Sequence, residues 1–274
     1  MKKKSLFYLF LIIVFASGCA SDRQEDSLPC IDVTKTYPEK EIILTDIADV
    51  TFLCLKSNND DFLYSGRISC ITKNTIVIID APSGRPSGKI LLFSKDGNPK
   101  SQFNRIGQGP EEYSFPNKAI YDEDADEVFV YSFSEDIKVY SSTGEYKRKI
   151  VLPTGFYSNS LYFFDNESLL LNDAFIQYSP DKKREVTEES DYPFKFYIHP
   201  FVRISKADGK VLEYVGLTTN ETDLAFYVNF EGQTRRVNIL TNPIISTEKG
   251  FFLCNPETDT VFLYDKNKVL TPVI

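Results

Sequence analysis

Ile76-Val77-Ile78-Ile79-Asp80, then Ile90-Leu91-Leu92-Phe93, then the turn Lys95-Asp96-Gly97: this stretch decides the fold, because its order returns three more times. Val128-Phe129-Val130-Tyr131 leads to Ile137-Lys138-Val139-Tyr140 and Ser142-Thr143-Gly144. Leu169-Leu170-Leu171-Asn172 leads, after a longer insertion, to Phe201-Val202-Arg203-Ile204 and Ala207-Asp208-Gly209. Phe251-Phe252-Leu253-Cys254 leads to Val261-Phe262-Leu263-Tyr264 and Asp265-Lys266-Asn267. Short runs of branched and aromatic residues bounded by turn residues read as strands. Asp-Gly and Thr-Gly supply the positive φ that a tight hairpin needs. Each unit is strand, loop, strand, tight turn, strand.

Gly97, Gly144, Gly209 and Asn267 stand 47, 65 and 58 residues apart. Four-stranded propeller blades repeat at roughly 40–50 residues and take up extra length as loop insertions. Here the extra length falls in the polar segments 177–200 and 220–236. A β-sandwich also has short alternating strands, but not this recurring strand-turn-strand register. Helical periodicity is almost absent after residue 39. Aromatic residues make up 14% of the chain with no Trp, so the core rests on Phe and Tyr. The expectation is an all-β protein, a β-propeller of four-stranded antiparallel blades, with about four blades over 40–274.

Between the first two units lies Ile106-Gly107-Gln108-Gly109-Pro110-Glu111-Glu112-Tyr113, followed by Phe115-Pro116 and Ala119-Ile120. It resembles the linker of NHL-type propeller repeats, and more closely the GxGPxEY signature of six-bladed propeller lipoproteins of Bacteroidetes. The likeness runs from Glu41 to Pro153 and continues more weakly to the end. It implies a propeller fold and an exported, membrane-anchored address more than an activity. Six blades at roughly 50 residues need about 300, whereas about 235 follow residue 39. The resemblance therefore implies a member truncated at its C-terminus. In such an open arc of four blades, a strand over residues 49–55 would lack its closing partner.

The N-terminus carries its own signal. Met1, Lys2, Lys3 and Lys4 precede an apolar run from Leu6 to Phe15, then Ala16-Ser17-Gly18-Cys19. That is the layout of a secretory signal, too short to remain as a membrane span, and Ala16–Cys19 resembles a bacterial lipobox. Residues 1–18 read as a lipoprotein signal peptide, Cys19 as the lipidated residue and 19–39 as a flexible tether. Two or more acyl chains hold a protein at a membrane where one is marginal. The expected address is the cell envelope, at the outer membrane.

Loss of residues 1–18 removes three lysines and no acid, taking the net charge from −8 to −11. So acidic a surface repels phosphate backbones and argues against nucleic acid. Beyond Cys19, the cysteines are Cys30, Cys54, Cys70 and Cys254, with no CxxC pair to suggest zinc or redox chemistry. Cys54 and Cys254 sit in apolar runs, where Cys acts as a small hydrophobe. Cys54–Cys70 is the one disulfide pairing considered.

Candidate chemistry is sparse. In the Gly107–Tyr113 loop, Gln108, Glu111, Glu112 and Tyr113 are the candidate ligand-facing residues at the propeller mouth. The competing structural reading has the glycines and proline passing the chain between blades while Tyr113 packs as a wedge. Asp122-Glu123-Asp124-Ala125-Asp126-Glu127 has alternating carboxylates like a calcium loop, but lacks the Gly and Glu such a loop needs at positions six and twelve. A solvated hairpin turn explains it as well. His199 is the sole histidine, with no GxSxG elbow to accompany it. Asp26-Ser27-Leu28 and Asp259-Thr260-Val261 resemble Bacteroidetes O-glycosylation acceptors. No catalytic residue, metal ligand or cofactor is assigned. The expected function is a binding or scaffold module for a peptide, glycan or partner protein. The alternative is a calcium-dependent, gluconolactonase-like hydrolase or lyase at the central channel. Three or more carboxylates from several blades meeting at one point would favour that alternative.

Overall fold

The computed structural model describes residues 31–32, 34–57, 62, 64–84, 87–132, 134–152, 158, 160–172, 200–217, 225–230, 233–238, 243–254 and 260–273. Cys19, Cys30, His199 and the Asp26 acceptor lie outside them. Residues 37–273 form one compact unit and residues 1–36 belong to a second. Within the latter, Asp32 accepts hydrogen bonds from Thr34 N (3.0 Å) and Thr34 Oγ1 (2.7 Å).

The larger unit contains four antiparallel sheets of four strands, each strand pairing with the next in sequence. Blade 1 is β1 (Gly66–Ile71), β2 (Thr75–Asp80), β3 (Lys89–Ser94) and β4 (Pro99–Asn104). Blade 2 is β5 (Lys118–Asp122), β6 (Glu127–Tyr131), β7 (Asp136–Tyr140) and β8 (Tyr146–Val151). Blade 3 is β9 (Leu161–Phe163), β10 (Ser168–Asn172), β11 (Phe201–Ser205) and β12 (Val211–Tyr214). A hairpin of β13 (Ala225–Phe230) and β14 (Gln233–Asn238) follows. Blade 4 is β15 (Ile244–Thr247), β16 (Gly250–Cys254), β17 (Val261–Asp265) and β18 (Leu270–Pro272). The expected all-β propeller of four-stranded blades is what the chain forms. Among the described residues the only helical pieces are short 3₁₀ turns, and no helix is long and apolar enough to cross a membrane.

The recurring turn of the sequence is a recurring backbone device. Ser94, Ser141, Ser205 and Asp265 open the turns between the third and fourth strands. Each turn closes through the amide of a positive-φ residue: Gly97 (φ 77), Gly144 (83), Gly209 (80) and Lys268 (66). The opening side chain also caps the turn. Asn98 N donates to Ser94 Oγ (3.1 Å), Glu145 N to Ser141 Oγ (3.0 Å) and Val269 N to Asp265 Oδ1 (2.9 Å). In the first three blades the register shifts just behind the turn, as expected for a bulge that follows a left-handed turn residue. The fourth turn closes on Lys268, one residue beyond the expected Asn267.

Blade-on-blade packing explains why the strands read as continuous apolar runs instead of alternating ones. A sheet covered on both faces buries every position, and β2 and β10 are buried throughout. Val77, Ile79 and Leu92 face Tyr113, Val128 and Val130 between blades 1 and 2. Phe129, Tyr131 and Val139 face Leu169, Leu171 and Val202 between blades 2 and 3. Leu170, Phe201 and Val215 face Ile244, Leu253 and Tyr264 between blades 3 and 4. Each interface draws on alternate residues of one strand, so a one-residue slip would exchange both faces. The other face of blade 1, formed by Ile76, Ile78, Leu91 and Phe93, is covered by Leu55 and Phe62.

Three expectations are corrected here. Residues 49–55 form no strand: the segment runs past the β3–β4 turn, held by Lys56 N donating to Gly97 O (2.8 Å) and Lys56 Nζ to Asn98 Oδ1 (2.8 Å). A strand requires a ladder, and no described strand pairs with this segment; Phe52 is 96% exposed. Cys54 and Cys254 are exposed instead of buried. Cys54 lies on this unpaired segment, and Cys254 ends β16 on the face of half-buried Phe252, opposite buried Phe251 and Leu253. The considered Cys54–Cys70 disulfide is not formed: Cys54, Cys70 and Cys254 are free thiols.

Candidate functional site: the channel cavity

The first strand of each blade has a neighbour on one side only. These four strands, β1, β5, β9 and β15, border one cavity of about 650 Å³, a volume within the usual range for ligand pockets. Its walls are residues 69–74, Lys118 with 120–124, residues 162–166 and Ser246. Blades 1 and 2 run in the same direction around it. The Arg67 guanidinium donates to Asn117 O and Oδ1, Ala119 N donates to Ser69 Oγ (2.8 Å), and Asn74 Nδ2 donates to Glu123 Oε2 (3.0 Å). A bulge between Ile68 and Cys70 accompanies the turning of Ser69 toward blade 2.

The carboxylates around the cavity are tied into turns and blade contacts. Asp122 accepts from Asp124 N (3.1 Å) and Ala125 N (3.2 Å), an Asx turn, and pairs with the Lys206 ammonium of blade 3. Glu123 accepts from the Thr72 hydroxyl, Asn74 N (3.1 Å) and Asn74 Nδ2, joining the first turns of blades 1 and 2. Asp165 accepts from Glu167 N (2.9 Å) and Ser168 Oγ (2.6 Å). Outside the cavity wall, Asp126 accepts from Tyr121 OH (3.0 Å) and Ser142 N (3.1 Å). The run that resembled half a calcium loop is thus a β5–β6 turn whose acids organise backbone amides. Among the described residues, carboxylates reach the cavity from blades 2 and 3. Among the described residues, no cluster of three or more His, Cys, Asp or Glu is placed to hold a metal ion.

Burial by itself raises the pKa of Asp122. The Lys206 ammonium and the amides of Ala125 and Asp124 overcome that and leave it below the usual carboxylate value. Burial acts the same way on Glu123, and bonds from Thr72, Thr75 and Asn74 outweigh it. A folded-state pKa below the unfolded one stabilises the fold above the unfolded value, and that contribution fades as pH falls through the folded value. Thermal stability should therefore drop as pH goes below about 4, the ordinary carboxylate pKa. Asp122→Asn should blunt that acid sensitivity while lowering Tm at neutral pH. Melting curves from pH 3 to 7 check both.

Lys118 differs from these acids. It shares one face of β5 with Ile120 and Asp122, toward blade 3. Its Nζ lies 5.1 Å from the centroid of the Tyr162 ring. Tyr162 is itself fixed by donating to Ile244 O of blade 4 (3.1 Å). Burial lowers the Lys118 pKa; the adjacent Cys70 thiol opposes this and Arg67 adds to it. Among the described residues, no carboxylate pairs with this ammonium. Burial pushes the Cys70 thiol up to about 11, so it is neutral at physiological pH and unsuited to act as a nucleophile.

The sequence-derived loop candidates lie elsewhere. Gln108, Glu111 and Glu112 are exposed, and Glu111 and Glu112 border a second hollow of about 460 Å³ with Arg105, Glu145 and Tyr146. Tyr113 is 2% exposed. Its hydroxyl donates to Gly88 O (2.6 Å) and accepts from Arg105 N (3.0 Å), and its ring meets Tyr140 edge-on at 5.6 Å. The Glu112 carboxylate accepts from Gly109 N (2.8 Å), folding the loop on itself. Lys118, Tyr162 and Ser246 carry no motif in the sequence. Their one signal is position, on the first strand of successive repeat units.

Residues 20–229 match the family described as "6-bladed beta-propeller". The chain belongs to that family. The family description counts six blades; the described residues of this member form four. Among solved structures, a Bacteroides fragilis protein provisionally described as exported aligns with a TM-score of 0.56 at 17% identity, over 85% of this chain and 56% of its own. BamB from Moraxella catarrhalis aligns at 0.35 and 12%, over 72% of this chain and 48% of its own. A protein of unknown function from Bacteroides caccae aligns at 0.30 and 13%, over 70% and 51%. This propeller chain spans about half the length of the solved structures it matches. At these identities the first likeness is one of fold, which does not fix function. No curated protein matches the chain.

Proposed function

We propose that this propeller is an exported, lipid-anchored binding module whose central channel takes a ligand from a peptide, a glycan or a partner protein. The observation that carries this reading is the convergence of all four first strands on one cavity of about 650 Å³. Its acids with described partners are committed to turns, while the Lys118 ammonium has no anionic partner among the described residues. Rigid strands with polar groups aimed into a shared hollow make a binding site without a reactive group being required.

Filling the channel tests this reading. Ser246→Tyr places a ring in the cavity wall and should abolish the Tm increase that wild-type protein shows with its ligands in a panel of short peptides, oligosaccharides and organic acids. A variant that responds to every compound as wild type does, or a wild type that responds to none, would overturn the channel reading.

The anchor is proposed from the N-terminal sequence. Cys19→Ala should leave the protein unable to incorporate labelled palmitate and shift it from the membrane fraction to the soluble one. Unchanged labelling or fractionation would sink the lipoprotein assignment.

A further inference from the structure

We propose that the channel binds a short extended peptide, its C-terminal carboxylate on the Lys118 ammonium and its amino end toward the acidic turns of blades 2 and 3. This rests on the channel reading above and names its ligand class. Acids outnumber cations at one end of the channel, where Lys73 is the wall's one described cation, and the other end carries cations alone among the described residues. Arg67 and Lys118 stand at the starts of β1 and β5, while Asp122, Glu123 and Asp124 stand at the far end of β5. Asp165 stands just after β9 on the cavity wall. At about 3.3 Å per residue, the four steps from Lys118 to Asp122 cover about 13 Å, roughly the length of a four-residue extended chain. A zwitterion of that length matches both ends.

Three further observations favour a peptide over other ligands. Lys118 and Lys73 are the wall's cations; Lys73 is exposed and stands beside the Glu123 turn, whereas Lys118 is half-buried and Arg67 is already bonded to Asn117, so the sheltered end of the site offers one positive charge to one negative charge. A dianionic phosphate would meet the surrounding acids with excess charge in a chain of net charge −8. The wall's aromatic rings are already engaged: Tyr162 with Lys118 and Phe251, Phe163 with Phe129, Phe164 with Tyr264. Tyr121, the remaining described ring of the wall, is buried, so a pyranose would have to compete with these contacts to stack. Among the described residues the inner edges of the four first strands carry no ladder partner, Ala119 N of β5 being the amide already taken by Ser69 Oγ, and unpaired strand edges are what an extended peptide hydrogen-bonds to.

Isothermal titration calorimetry on the full chain tests this with four probes: tetra-alanine, its C-terminal amide, its N-acetyl form and glucuronate. Wild type should bind the free acid at least tenfold more tightly than the amide, and N-acetylation should weaken binding several-fold. Lys118→Met, which keeps the stem over Tyr162, should bind acid and amide alike; Lys118→Arg should restore the preference, which separates a charge effect from a folding defect. Equal binding of acid and amide by wild type, or a preference retained in Lys118→Met, overturns the peptide assignment. Binding of glucuronate without tetra-alanine also overturns it but leaves the channel reading standing, provided Ser246→Tyr abolishes that binding. Binding of any probe that survives Ser246→Tyr defeats the channel reading, and absence of binding by all four defeats the peptide assignment.

Discussion

Tyr140→Ala is expected to lower the unfolding free energy by about 3–5 kcal/mol, the usual cost of deleting a buried aromatic ring. Tyr140 is fully buried between blades 1 and 2. Its ring packs against Phe103, Tyr113 and Tyr146 with centroids 5.6–5.8 Å apart, and its hydroxyl donates to Glu111 O (2.6 Å). The substitution therefore empties the interface and releases the Gly107–Tyr113 loop together. A domain's whole margin is about 5–15 kcal/mol, so the variant should sit near its unfolding midpoint under mild conditions. Tyr140→Phe keeps the ring and leaves Glu111 O without its donor, which should cost about 1–2 kcal/mol. Urea denaturation of the three proteins checks the ordering. A Tyr140→Ala loss no larger than that of Tyr140→Phe would mean that the ring does not hold the blades together.

Gly209→Ala is expected to be nearly as damaging, for a different reason. Gly209 has φ 80, and a Cβ there would lie 2.3 Å from Val151 O and 2.8 Å from Ile150 Cγ2, both on the outer strand of blade 2. The left-handed conformation alone costs an alanine about 1–2 kcal/mol. The backbone oxygen cannot rotate away, so the turn must lift off its neighbouring blade, adding about 1–3 kcal/mol as overpacking does. Gly84 is the control: it has the same φ of 80 with nothing within 4 Å of its Cβ position. Gly84→Ala should pay only the conformational part. A matched loss at both sites would show that the turn does not rest on blade 2. Gly144 meets Phe103 of blade 1 in the same way, and Gly97 meets Cys54 O. The unpaired segment before β1 thus occupies the place that an outer strand takes in the later repeats.

The fold was legible because local signals repeat. Lys95-Asp96-Gly97, Ser142-Thr143-Gly144 and Ala207-Asp208-Gly209 each demand a left-handed residue, and each produced a turn closed by that glycine. Ile76–Asp80 and Val128–Tyr131 are strands whose length and apolar character follow from burial on both faces. The fourth turn closes one residue beyond Asn267 because Lys268, with no compositional mark, adopts the positive φ. Cys254 is exposed despite its apolar run, because such a run does not say how many of its faces are covered. Burial depends on whether another blade packs there.

The site was much less legible. The GxGPxEY loop stood out because glycine and proline are visible in any sequence, yet Tyr113 is sealed between blades and Glu112 closes the loop on its own backbone. Lys118 is an ordinary lysine in sequence. Its setting depends on Tyr162, 44 residues later, and on Ile244, another 82 residues on, which positions that tyrosine. The sequence by itself determined what is local: strand order, turn conformation, antiparallel pairing and the continuous apolar character of the middle strands, all set within a few residues by φ preferences and side-chain burial. Only the tertiary structure decided which acids are spent on turns, which cation remains without an anion, and where four first strands enclose a cavity. Those properties arise from contacts between blades, and a chain's local chemistry does not encode the distance between residues that meet only when the blades pack.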